Sequence, residues 1–254
     1  MISALYLVAA AAHLALWGWG VRLVGPLARR TGRTPRALVL VLIPAALLPL
    51  ENLRTGLGRA LGPGDALYAL SVPALAWHWT VLPLFALAAV AMLDEAGLRF
   101  VRRPPVVVLI AAVVTALFAI DLPWAAGLLT GGAGPLPDVE LVIGCIGDAV
   151  RYTATRSEAY LCAPTDAVHR VGPGPTVAIA MVALVLAAGV ALWRERGWPW
   201  LALAAAGMFL AAAAGPAFGP YAAPLANVGE VALVAAMLAT ARWSALRAAS
   251  TATA

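Results

Sequence analysis

Several uninterrupted apolar runs, rich in Ala, Leu and Val, reach the length a helix needs to cross a bilayer, about 20 residues for roughly 30 Å of hydrocarbon. That feature decides the fold class before any other. Hydrocarbon offers no water to satisfy backbone N–H and C=O groups, so only helices and closed barrels span it. A barrel would show short alternating segments, whereas these runs are continuous. With 63% hydrophobic and 11% charged residues, the chain also lies far from the roughly 25% charged of soluble domains.

The runs predict an all-α polytopic bundle of about seven spanning helices, at 2–24, 37–52, 70–93, 105–129, 175–193, 198–214 and 221–241. Pro44 and Pro49 are expected to bend the second. The first run has no basic segment before it and exceeds a signal-peptide core, so it reads as a retained helix. Residues 1–249 form a single bundle domain with a long polar loop at 130–174, and 250–254 read as a disordered tail. The stretch Gly56–Gly64 lacks both a preceding strand and a lysine, so it reads as an external turn rather than a phosphate loop.

All 17 basic residues are Arg. Without Lys there is no Schiff base to retinal or pyridoxal phosphate, so seven helices do not imply a rhodopsin. Basic residues of short loops stay in the cytoplasm. Twelve arginines (22, 29, 30, 33, 36, 99, 102, 103, 194, 196, 242 and 247) fall on one side, and five (54, 59, 151, 156 and 170) on the other. The amino terminus is therefore expected outside and the carboxyl terminus inside, in a multi-pass protein of the cell membrane. The same topology accounts for the positive charge without nucleic acid.

Cys145 and Cys162 fall in the external loop, where an oxidising compartment favours a disulfide; no Cys-x-x-Cys spacing accompanies them as zinc would require. The loop also carries Asp138, Glu140, Asp148, Glu158 and Asp166. It reads either as a lid over the bundle or as a solvated surface loop.

Ionisable groups inside spanning helices are costly unless they face the bundle interior, which makes each a candidate site residue. They are His13, Glu51, His78, Asp121 and Glu230, with Asn52 and Asn227 beside them. All are expected at a similar depth near the outer leaflet. Tyr6, His13 and Trp17 share one helix face, Ser71 and His78 another, while Asn227 with Glu230 and Asp121 with Trp124 are i, i+3 pairs. Each has a plainer reading: His13 as interhelical packing, Glu51 and Asp121 as solvated interfacial groups. Trp17, Trp77, Trp79 and Trp124 lie at or beside the cluster, where aromatic faces would stabilise a cation; interfacial anchoring is the alternative for Trp124.

A carboxylic acid sealed in an apolar pocket keeps its proton, because burial disfavours the charged form, and so serves as a general acid. In length, helix count and two acidic motifs, Leu47-Leu48-Pro49-Leu50-Glu51-Asn52 and Asn227-Val228-Gly229-Glu230, the chain resembles the seven-helix integral membrane terpene cyclases of fungal meroterpenoid pathways and their bacterial members. Leu50 stands where that family has an aromatic residue, and Glu230 where it has Asp. The resemblance implies Glu51 and Glu230 as the acid pair, a prenylated or other small lipophilic substrate drawn from membrane lipid surroundings, and no cofactor. His78 and Asp121 complete the expected catalytic set; the four tryptophans, Asn52, Asn227 and His13 form the expected substrate wall.

Two other function classes fit the same residues. In a metal-dependent lipid hydrolase, His13 and His78 would join Glu51, Asp121 or Glu230 around zinc. In a transporter or lipid-binding protein, protonation of the cluster would drive a helix movement.

Overall fold

A computed structural model describes residues 1–154, 162 and 176–252. About 80% of it is helical. Six helical stretches are long and apolar enough to cross a membrane: Ile2–Thr31, Arg36–Leu61, Asp65–Glu95, Pro104–Thr130, Thr176–Arg196 and Pro224–Ala249. A further apolar helix, Trp200–Ala214 within Trp200–Phe218, is shorter. This is the composition of an all-α bundle of multi-pass membrane type.

Two of these stretches are broken where proline removes a backbone donor. The second divides into α2 (Arg36–Ala45) and α3 (Leu48–Leu61), with Pro44 and Pro49 on either side of the break. The third divides into α4 (Asp65–Val81) and α5 (Pro83–Glu95), with Pro83 opening α5. The others are α1 (Ile2–Thr31), α6 (Pro104–Thr130), α7 (Thr176–Arg196), α8 (Trp200–Phe218) and α9 (Pro224–Ala252). The last helix therefore carries into the stretch expected as a tail, of which 253–254 lie outside the described residues.

The expected external turn at Gly56–Gly64 is corrected. Helix α3 continues through Leu61, and only Gly62–Gly64 connect it to α4. The glycines serve close packing instead: a Cβ on Gly58 would meet the Val150 carbonyl oxygen at 1.6 Å. Glycine's poor helix propensity is accepted there because no larger residue lets the two backbones touch.

Val150 belongs to a hairpin in the first half of the long loop, strands β1 (Val142–Ile146) and β2 (Ala149–Thr153). They pair antiparallel with Ile146 opposite Ala149, leaving Gly147-Asp148 as a two-residue turn. Gly147 has φ +59°, the conformation such hairpin turns demand and glycine supplies. Cys145 and Cys162 are disulfide-bonded, as the redox argument anticipates. Arg156, Glu158, Asp166 and Arg170 lie outside the described residues.

The hairpin is folded down onto the bundle. Its tip caps α1, whose first amides have no intrahelical partners: Asp148 Oδ1 accepts from the N–H groups of Ile2 (2.7 Å) and Ser3 (3.3 Å), and Ser3 Oγ donates to the Asp148 carbonyl (3.0 Å). The amino-terminal ammonium donates to Asp148 Oδ2 at 2.5 Å. That ammonium, followed by the two amides, holds the Asp148 carboxyl well below the usual carboxylate range.

The main core lies where α2, α5, α7, α8 and α9 meet, around Leu38, Val41, Met92, Val185, Leu192, Leu201, Met237 and Leu238. At the end remote from the hairpin, Arg36 and Arg102 both reach Asp94. Glu95 is buried there and accepts from Ala37 N–H and Ser244 Oγ, both at 3.4 Å. Helix α6 stands at the edge; only 17% of its spanning window is buried.

Candidate functional site

Beneath the hairpin, a half-open cavity of about 250 Å³ is lined by α1, α3, α4, α8, α9 and β2. Its polar wall is Glu51, His78, Arg151, Asn227, Glu230 and Tyr6, and its apolar wall is Met208, Ala212, Ala223 and Ala226. Five of the residues singled out in the sequence thus meet in one space: Tyr6, Glu51, His78, Asn227 and Glu230.

Glu230 is carried into the wall by α9, one turn beyond Asn227. Behind it sits His13 on α1, completely buried, with Nε2 3.4 Å from Glu230 Oε2. The pair is at ion-pair distance but not aligned as a hydrogen bond, and both His13 ring nitrogens lack other partners among the described residues. A buried imidazole with unsatisfied nitrogens is costly. The carboxylate beside it, Glu230, also faces the cavity.

Opposite stands a second pair. Arg54 is 1% exposed, although the sequence reading counts it among the arginines of the outer side. One helical turn from Glu51, it grips both carboxylate oxygens, Nε to Oε2 at 3.0 Å and Nη2 to Oε1. The rest of the guanidinium is also engaged: Nη1 donates to the Tyr152 carbonyl at 2.7 Å and lies 3.5 Å from Ser71 Oγ. Planar, forked guanidinium geometry suits this two-pronged grip. His78 and Arg151 lie close enough to Glu51 to interact with its charge. Both Glu51 oxygens thus accept from one guanidinium, the geometry of a bidentate ion pair.

The remaining candidates lie elsewhere. Asp121 is buried on α6 and absent from the cavity wall, its Oδ1 without a hydrogen-bond partner among the described residues. Trp79 and Trp124 pack with Leu75, Ala125, Leu128 and Val139 in a separate apolar cluster between α4, α6 and the loop. Trp17 packs against the main core. Trp77 is 44% exposed on the outside of α4. Asn52 is buried and its Nδ2 donates to the Leu48 carbonyl at 3.0 Å, so it is held within its own helix. Among the described residues, none of the four tryptophans lines the cavity, and Tyr6 is the aromatic ring besides His78 that does.

Among the described residues, no three His, Cys, Asp or Glu side chains are gathered as a metal ion needs: His13 stands with Glu230, Glu51 with Arg54, and Asp121 apart from both.

Arg54, Arg151 and Met208 are the wall or support residues that sequence reasoning missed. A signal existed for the hairpin that carries Arg151, since Gly147-Asp148 between two Val/Ile-containing runs is a hairpin pattern. No comparable signal separates a buried Arg54 from a loop arginine.

Fold and site together define a helical bundle of membrane-spanning type with an ion-paired polar cavity at one end. No family model matches the chain, and no characterised relative or solved structure similar to it is found.

Proposed function

We propose that this protein is a seven-pass membrane enzyme, amino terminus outside, that carries out acid–base chemistry on the polar or unsaturated part of a lipid-like substrate. One observation carries the reading: Glu230 faces the cavity on one side and a fully buried His13, 3.4 Å away, on the other. A carboxyl so placed can pass a proton to a bound molecule while the imidazole stabilises the carboxylate left behind. The Glu51–Arg54 pair and Arg151 supply charges, and His78 a hydrogen-bonding ring, to orient the substrate, which is how preorganised sites lower barriers. At about 250 Å³ the cavity is smaller than the roughly 300–1,000 Å³ of drug-sized sites. It accommodates the reacting portion, with any chain extending into the bilayer.

The prenyl-cyclising form of this activity, which the resemblance implies, is its narrower version. Glu230 would protonate an alkene carbon or an epoxide oxygen, an internal double bond would capture the cation, and loss of a proton from the neighbouring carbon would return Glu230 to its starting state. Atoms balance as an isomerisation. Tyr6 is the aromatic face available to the cation, so the general acid–base reading has the better support. A proton-coupled transporter would use the same His13–Glu230 pair; the helix breaks at Ala46-Leu47 and Leu82, beside two cavity-lining helices, favour this second reading.

The test is turnover in deuterated water by protein reconstituted in liposomes, with prenylated phenols and their terminal epoxides, read by mass spectrometry. Product formed by wild type and lost in Glu230→Gln, with the thermal transition retained, supports the enzyme. Turnover unaffected by Glu230→Gln sinks it. Absence of product together with Glu230-dependent proton uptake by the liposomes favours the transporter. Stoichiometric zinc, lost in His78→Ala, would reopen the hydrolase.

A further inference from the structure

At the end remote from that cavity, three hollows run together. The first is an apolar slot of about 360 Å³ between α5, α6 and α7, lined by residues such as Val90, Leu93, Val101, Leu109, Val113 and Ala187. The second, about 650 Å³, shares Val90 and Val101 with the slot and adds Arg36, Arg102 and Asp94. The third, about 200 Å³, shares Asp94 and Arg102 with the second and adds Arg33, Arg99 and Glu95. An apolar channel therefore opens directly into a basic bowl.

The charges of the bowl do not cancel. Four arginines face two carboxylates. Asp94 is already bound by Arg36 and Arg102, and Glu95 is buried against Ala37 N–H and Ser244 Oγ. Arg99 has no hydrogen bond or ion pair among the described residues. The slot runs inward along α6 from Val106 to Val114, about 12 Å at 1.5 Å per residue. Helix α6 is the least embedded span, so the slot is open to the surrounding lipid. An apolar chain fills such a slot, and a phosphate matches an uncancelled arginine bowl at its mouth.

We propose that this trough binds one phosphate-headed lipid, with a hydrocarbon chain between α5, α6 and α7 and the phosphate on Arg99 and Arg102. The chemistry is shared by two sources, an anionic bilayer phospholipid and an isoprenoid phosphate. The site is separate from the His13–Glu230 cavity and does not depend on its function.

Native mass spectrometry of detergent-purified protein, titrated with phosphatidylglycerol, phosphatidylcholine and farnesyl phosphate, tests the proposal. Wild type should retain one phosphatidylglycerol or one farnesyl phosphate per chain; which of the two is held more tightly identifies the source. Loss of one charge-assisted contact, about 1.5–3 kcal/mol, predicts at least roughly tenfold weaker binding for Arg99→Gln. Val113→Trp, which fills the slot, should abolish retention of either lipid, and Arg22→Gln, away from the trough, should leave it unchanged. Retention of phosphatidylcholine equal to that of phosphatidylglycerol, equal binding by wild type, Arg99→Gln and Val113→Trp, or no lipid retained by wild type would each overturn the proposal.

Discussion

Glu51 and Arg54 face each other one turn apart on α3, and the guanidinium that clamps the carboxylate also donates to the hairpin backbone at the Tyr152 carbonyl. One buried cation thus fixes a cavity charge and fastens the cover over the cavity.

Removing one partner of that pair leaves the other buried and uncompensated, which costs about 3–5 kcal/mol where it has been measured. Arg54→Met is expected to lower the thermal transition of the purified protein sharply. The double variant Glu51→Gln/Arg54→Met should recover much of the loss, because both charges are gone. Differential scanning fluorimetry in one detergent decides it; a double variant less stable than Arg54→Met would show that Glu51 is not the partner left stranded.

Asp148 joins the hairpin to the start of α1 and titrates below the ordinary carboxylate range. Folded, it binds fewer protons than it does unfolded, so the stabilisation is complete above about pH 4, the unfolded value, and fades as the pH falls further below it. Amide exchange at Ile2 and Ser3 should accelerate on acidification below that point, after correction for the intrinsic pH dependence of exchange. In Asp148→Asn the two amides should exchange faster already at neutral pH. Unchanged exchange in the variant would contradict the cap.

The proposed outside amino terminus rests on the arginine distribution, and taking buried Arg54 out of the count leaves twelve arginines against four. A green fluorescent protein fused after Ala254 should fluoresce, and alkaline phosphatase fused there should be inactive. Phosphatase inserted at Gly134, in the hairpin loop, should be active. The reverse pattern would place the cavity on the cytoplasmic side.

Six of the seven expected spans were legible because hydrophobic length is a local property, and the proline breaks because proline acts on its own residue. The disulfide was legible from compartment alone. Glu230 with His13 was legible in kind, since a charge in mid-span must face protein, but their pairing depends on how α1 meets α9. Arg54 was not legible: glycine-rich sequence suits a turn and a tight helix–strand contact equally, and only the approach of Val150 to Gly58 distinguishes them. The tryptophans were expected beside the cluster and none is among the cavity's lining residues, because facing depends on every neighbour. Asp121 failed similarly, buried in a helix that turns it away from the cavity.

The central claim is that Glu230 and His13 form one proton-exchanging unit open to the cavity, and infrared difference spectroscopy of the reconstituted protein during a pH titration tests it most directly. The account predicts a carboxyl C=O band that titrates in wild type, vanishes in Glu230→Gln, and has a displaced midpoint in His13→Gln. A spectrum in which Glu230→Gln removes no titrating band, or in which His13→Gln leaves the midpoint where it was, would contradict it.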